Sequence, residues 1–384
     1  LQSTNKPLPV FFTKYKNELI LTGCWLIVQA FLFRQHGMQT DFEARKYIDE
    51  ADNLLVNGSV SSPNFWLYSV QIFLIAAVKK IHATLLCALI VQWFFSLLAV
   101  LSLYRLSSNL ANKTTGIVIA ILLIFNIPLQ TFNSFLQTES LFFSFTILFG
   151  CYLLRVQKLN GRNFSFIISF LLLLCFTRPT GLLWIPCTFL YLFFRFFRGF
   201  PFLVKIGTTI FVCIGFLFLL NLVLGSGGEL DFMLPFRDEM IICGVPTLTA
   251  PANIRTTGNP NSLFGLAYYM THNFDQFIRL SWLRTKAFWG LSRSYYSSGH
   301  NLYLCLWFYP LYALAIYGGW RWVRKNKYLF LYCLSLILIT WATVILTCDD
   351  WHNRFFLTVV PYIYILSIPA VAAITAKLKR TANK

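Results

Sequence analysis

Five of the chain's fourteen acidic residues fall between Thr40 and Gly58, in the stretch TDFEARKYIDEADNLLVNG. Asp41, Glu43, Asp49, Glu50 and Asp52 follow directly on the first long apolar run, so carboxylates gather against a membrane edge. A carboxylate there can take up a proton or hold a cation. Arginine forks hold phosphate oxygens in defined geometry, and two arginines stand at the ends of apolar runs, Arg178 before Pro179 and Arg354 before Phe355. Further bases, Arg237, Arg279, Arg284, Lys286 and Arg293, lie in one long polar stretch. Glu139 opens an apolar run and either faces a polar cavity or caps a helix start. The last polar turn, CDDWHNRF, offers Asp349, Asp350, His352 and Arg354. No DxD pair fixes a metal, since Asp349 and Asp350 are adjacent and Asp41-Phe42-Glu43 is a D-x-E. Each group also has a plain structural role open to it: loop acids solvate a loop, interfacial bases snorkel, and a lone histidine in a polar turn is usually neither ligand nor acid.

The elements that must position these groups follow from composition. With 57% hydrophobic and 12% charged residues and a mean hydropathy of +0.63, the chain is read as one polytopic, all-α membrane domain covering 1–384. Ten spans are expected: 18–33, 83–103, 114–129, 138–154, 164–177, 180–194, 204–224, 302–320, 328–347 and 355–376. The net charge of +18 does not point to nucleic acid, because the bases are spaced between apolar runs as the positive-inside rule requires. The ten cysteines are scattered, mostly inside apolar runs, and none forms a CxxC. They read as small buried residues, with Cys243 and Cys348 open to pairing. No cleavable signal is expected.

Asn64–Lys80 decides the topology, because every later segment inverts if it spans. With it lying flat at the interface, nineteen of the 32 bases share the N-terminal side with a single acid, Glu18. They are Lys6, Lys14, Lys16, Arg105, Lys113, Arg155, Lys158, Arg162, Arg195, Arg198, Lys205, Arg321, Arg324, Lys325, Lys327, Lys377, Lys379, Arg380 and Lys384. Both termini are therefore expected in the cytoplasm. The first outer loop is 34–82, with Trp66 and Tyr68 at the interface. The long outer loop is 225–300, and its last part, DQFIRLSWLRTKAFWGLSRSYY, reads as an amphipathic surface helix.

Taken in order, these motifs resemble the GT-C class of membrane glycosyltransferases, which includes the protein O-mannosyltransferases, the oligosaccharyltransferase catalytic subunits and the aminoarabinose transferases. The matching features are D-x5-Y-x3-A-x2-LL-x2-G (Asp41, Tyr47, Ala51, Leu54, Leu55, Gly58), the flat helix behind it, TES at 138–140, RPTG at 178–181, and Asp350, Arg354, Phe355 and Pro361. In many relatives the acid stands about four residues before the tyrosine. That position is Glu43 here, whereas Asp41 is closer to the preceding span and is favoured as the base.

The resemblance implies transfer of a sugar from a polyprenyl-phosphate carrier to an acceptor glycan, lipid or protein on the outer face of a bacterial inner or plasma membrane. Nucleotide sugars are not supplied there, which favours a lipid-borne donor. Asp41 or Glu43 would be the general base, the other orienting the acceptor or a divalent cation such as Mg or Mn. Arg354, Arg178, Arg284, Lys286 and Arg293 would hold the donor phosphate. Glu139, His352, Asp350 and Tyr47 would line the acceptor, metal or cavity region. Two other readings stay open. A transporter or flippase of lipid-linked glycans would show paired repeats and broken helices near the midplane. An O-antigen polymerase or ligase would lean on arginines of a large outer loop.

Overall fold

The computed structural model describes residues 15–197, 199–224, 231, 233–248 and 252–382; Lys6, Lys14, Arg198, Lys384 and parts of the 225–300 loop lie outside them. Among the described residues every named element is a helix, and extended pairing is limited to two isolated bridges, Gln39 with Phe135 and Ile242 with Asp349. Seven helices are long and apolar enough to cross a membrane. An eighth crossing arises if the bent pair Lys113–Ile124 and Ile127–Ser134 counts as one. The ten expected stretches all fall on helices, but two miss that measure. Thr138–Arg155 carries Glu139 and Arg155 at its ends, and Gly161–Thr177 has only 17 residues.

The chain divides into two compact units, and each is described by itself. The first takes the described residues up to 157, residues 165–179 and those from 370. It contains α1 (Lys16–His36), α2 (Glu43–Asn57), α3 (Ser69–Lys80), α4 (Leu86–Leu110), α5 (Lys113–Ile124), α6 (Ile127–Thr131), α7 (Thr138–Arg155) and most of α8 (Gly161–Thr177). Helices α5 and α7 pack on α4. Gly116 permits the close approach of α5, since a Cβ there would lie 2.0 Å from Ser108 Oγ and 2.8 Å from the Tyr104 carbonyl.

The chain then bends by 58°. Asn126 accepts from the Leu129 N–H at 3.3 Å, and Pro128 sits in the first turn of α6, where its missing N–H has no cost. The bend brings Gln130 and Asn133 into the interior. There Gln29 donates to Gln130 Oε1 at 2.8 Å, Asn133 donates to Ser96 Oγ at 2.9 Å, and Ser140 donates to Asn133 Oδ1 at 2.6 Å. Buried amides in apolar surroundings need such partners.

Helices α2 and α3 form a hairpin. Tyr47 and Ala51, four residues apart and so on one helical face, pack with Ile72, Ile75 and Ala76. Gly58, at φ +72°, ends α2 by donating its N–H to the Leu54 carbonyl at 3.0 Å. Helix α3 has 12 residues, which at about 1.5 Å per residue falls well short of the ~30 Å hydrocarbon core. The rest of Asn64–Lys80 falls in a 3-10 turn, Pro63–Tyr68, ahead of α3.

The second unit takes 158–164 and 180–369. It holds α9 (Trp184–Phe196), α10 (Phe202–Leu224), α11 (Leu234–Arg237), α12 (Leu263–His272), α13 (Phe274–Gly290), α14 (Ser298–Lys325), α15 (Lys327–Leu346) and the first half of α16 (Arg354–Ala382). Helix α15 is central, with α9, α13 and α14 packed on it. Gly318 of α14 lets α16 come close, for a Cβ there would lie 2.1 Å from the Leu366 carbonyl. Trp184 donates to the Tyr362 hydroxyl at 2.8 Å in the interior. Cys243 and Cys348 form a disulfide, beside which the Cys243 N–H donates to the Asp349 carbonyl at 2.8 Å. Helix α13 falls on the stretch expected to form an amphipathic surface helix, but its faces are mixed, with Arg284 buried. It buries Phe277, Leu280, Ala287 and Phe288 and exposes Phe274, Ile278 and Trp282.

Candidate functional site

In the first unit the loop after α1 is tied to the segment before α7. The Gln39 N–H donates to the Ser134 carbonyl at 2.9 Å, and the Leu136 N–H donates to the Gln39 carbonyl at 3.1 Å. This fixes the start of the acidic stretch against the TES motif. Glu139 is in the first turn of α7, fully buried, where the helix dipole favours its charge. Arg178, at the α8 end that Pro179 terminates, donates to Glu139 Oε1 in an ion pair with only 14% of its side chain exposed.

Tyr47 completes this neighbourhood from α2. Burial pushes its phenol well above the ordinary range, and the charges of Glu139, Glu43 and Tyr68 push it further, against the opposing pull of Arg178. Tyr47 is therefore a protonated hydroxyl at neutral pH. Its ring lies 5.5 Å from that of Tyr68, over which Lys46 places its ammonium at 5.2 Å.

The five acids of the first loop separate by environment. Asp49 pairs with Arg45 at 3.4 Å, Asp52 with Lys79 at 2.6 Å, and Glu50 accepts from the Ser61 N–H at 3.0 Å. Asp52 ties α2 to α3 and Glu50 ties α2 to the turn, while the Asp49 pair lies within α2. Asp41 is exposed ahead of α2, while Glu43 is half-buried at its first position and felt electrostatically by Tyr47. Phe42 between them is 90% exposed at φ +56°, ψ −125°, a conformation that costs a non-glycine residue about 1–3 kcal/mol.

A second charged cluster belongs to the other unit. Arg293 and Asp349 form a buried ion pair, and Arg293 also donates to the Ala287 carbonyl at 2.8 Å. Burial pushes the Asp349 carboxyl up to about 6, against the pull of Arg293. Asp350 lies 4.0 Å from Arg354 and accepts from the Trp351 N–H at 2.8 Å. His352, at φ +56°, stacks over Tyr296 at 6.3 Å.

Two bases expected to hold phosphate are placed otherwise. Arg284 is fully buried and gives its N–H groups to the carbonyls of Met240, Ile345 and Pro235 at 2.9–3.0 Å, with Phe236 facing its guanidinium at 4.6 Å. Lys286 lies over the exposed Trp282 ring at 5.0 Å, a cation–π contact at the surface of the unit. Among the described residues no group of three or more His, Cys, Asp or Glu side chains is placed to hold a metal ion. Sequence reasoning singled out Glu139 and Arg178 but not their pairing, and passed over the link between Asp349 and Arg293. No family model, no curated protein and no solved structure matches this chain.

Proposed function

We propose that this integral membrane protein is a glycosyltransferase of the GT-C kind, moving a sugar from a polyprenyl-phosphate carrier to an acceptor hydroxyl or amine. One observation carries the reading. Parts of three motifs far apart in the sequence, the acidic first-loop helix, TES and the Arg178-Pro179 pair that opens RPTG, converge in one unit on Glu43, Tyr47, Glu139 and Arg178.

In this reaction the acceptor's nucleophilic atom bonds to the anomeric carbon as the bond from that carbon to the carrier phosphate oxygen breaks, on the opposite face. The electron pair leaves with the phosphate, and the acceptor's proton passes to a carboxylate. Glu43 is the better placed base, because it is half-buried within the cluster while Asp41 is exposed. Asp41 stays the second candidate, suited to orienting the acceptor. Tyr47 supplies a buried hydroxyl donor, and the Glu139–Arg178 pair positions the guanidinium and balances the cluster's charge. The resemblance assigns phosphate contact to Arg354 as well; Arg284 is left out because its donors already serve three carbonyls.

The proposed orientation has both termini in the cytoplasm and the loops 34–82 and 225–300 outside. The distribution of bases supports it. So does the Cys243–Cys348 disulfide, since such bonds persist in oxidising, extracytoplasmic compartments. The deciding experiment is reconstitution of the purified chain with polyprenyl-phosphate sugars and an extract of candidate acceptors. Release of free polyprenyl phosphate that depends on the acceptor and on Glu43 is expected, and its absence across all donors overturns the reading.

A further inference from the structure

A cleft of about 440 Å³ opens on the second unit, lined by Glu239, Asn253, His272, Phe274, Asp275 and Arg279 together with Asn273 and Gln276. Its floor is a held carboxylate. Glu239 is only 8% exposed and sits at φ +50°, and Arg279 and Gln276 both donate to its Oε1, the Gln276 bond at 2.9 Å. Burial works to raise this carboxyl, but the bonds from Arg279 and Gln276 outweigh it and hold the group below its usual range. It is thus an ionised acceptor, with Oε2 outside those two bonds.

The wall is equally fixed. Asn273 exchanges hydrogen bonds with the Arg255 backbone, both at 2.9 Å, and so pins the 253–255 segment against the start of α13. His272 is stacked on Tyr268 at 3.7 Å with Nδ1 facing the Tyr268 carbonyl at 2.9 Å, which leaves Nε2 as its other polar edge. Asn253, Asp275 and the Phe274 ring, 60% exposed, complete the lining.

We propose that this cleft binds neutral carbohydrate. Planar carboxylate, amide and guanidinium groups match pairs of neighbouring hydroxyls, each of which both donates and accepts. An exposed aromatic ring gives the C–H face of a pyranose its apolar contact. Anionic ligands fit badly, because the single arginine is already neutralised by Glu239 while Asp275 adds a second negative charge. An acyl chain fits worse, because it would cover the Asp275 carboxylate and the Asn253 amide with hydrocarbon that can neither donate nor accept. The inference goes beyond sugar transfer at Glu43 and does not need it.

The test is calorimetric or saturation-transfer titration of the full chain in detergent with maltotriose, mannobiose, diacetylchitobiose and glucuronate. At least one neutral sugar binds in the millimolar range, and glucuronate binds no better than background. Asn253→Ala and Phe274→Ala, at exposed positions that leave folding undisturbed, each weaken binding about fivefold, and Glu239→Gln weakens it about tenfold. Glu43→Gln leaves this affinity unchanged, which separates the cleft from the transfer reaction. The proposal is overturned if no neutral sugar binds, if glucuronate binds more tightly, or if both exposed variants retain wild-type affinity.

Discussion

Arg178 and Glu139, 39 positions apart, form an ion pair in which the carboxylate has no solvent exposure. Removing one member of such a pair strands the other. Arg178→Ala or Glu139→Ala is expected to cost about 3–5 kcal/mol, whereas replacing both by Met and Gln recovers most of that loss. Thermal unfolding in detergent, with the double-mutant cycle, measures it; independent additive losses would mean the two charges do not interact.

The two acids flanking Phe42 should differ sharply in their effect on turnover. Glu43→Gln removes the proposed base and lowers transfer about 10²–10⁴-fold with carrier binding retained. Asp41→Asn, at an exposed position, reduces it by less than tenfold. If the double variant turns over like the wild type, proton transfer to this loop plays no part in the reaction.

Much of this arrangement is legible in the sequence, and the reason is periodicity. Apolar runs mark the helices, and the four-residue spacing of Tyr47 and Ala51 marks the face that α3 covers. What stays hidden depends on contacts between distant segments. Arg284 looks like any interfacial base in an amphipathic stretch, and only the fold shows three carbonyls around it. The pairing of Glu139 with Arg178 leaves no local signature, and neither does the orientation of Glu239 by Arg279. The bend after Phe125 is encoded by Asn126 and Pro128, yet it sits inside an apolar run that reads as one straight span.

Arg284 and Arg354 should separate stability from binding. Arg284→Met removes three buried hydrogen bonds, of whose acceptors the Pro235 carbonyl keeps the Met240 N–H at 2.8 Å, and is expected to lower stability by about 3 kcal/mol. It should not change affinity for polyprenyl phosphate in the protein that still folds. Arg354→Ala should weaken that affinity at least tenfold. An unaltered affinity removes Arg354 from the donor site.

Asp349 gives a pH dependence with a definite sign. Its carboxyl is raised from the ordinary value near 3.8 to about 6, so between those values the folded protein holds a proton there that the unfolded chain has released, and above them the ion pair with Arg293 is complete. The stabilising contribution is complete below about pH 4 and declines as pH rises to about 6. Its full size is on the order of 3 kcal/mol. Unfolding midpoints between pH 4 and 7 should show this decline in the wild type and lose it in Asp349→Asn. A wild-type profile that rises over that range contradicts the assignment.

Sidedness can be read directly from exposed positions within one unit. Val56, 82% exposed on the first-loop hairpin, and Leu378, 64% exposed near the end of α16, should lie on opposite sides of the membrane. A membrane-impermeant maleimide applied to intact cells should therefore label Val56→Cys and spare Leu378→Cys, with both labelled after permeabilisation. The disulfide gives an independent check, since Cys243 and Cys348 close a loop of about a hundred residues and its loss costs about 2–4 kcal/mol. Protein isolated without reductant should carry this bond, and Cys348→Ser should lower the unfolding temperature. Labelling of Leu378→Cys alone would invert the topology and place the acidic loop in the cytoplasm, where a membrane-borne donor loses its rationale.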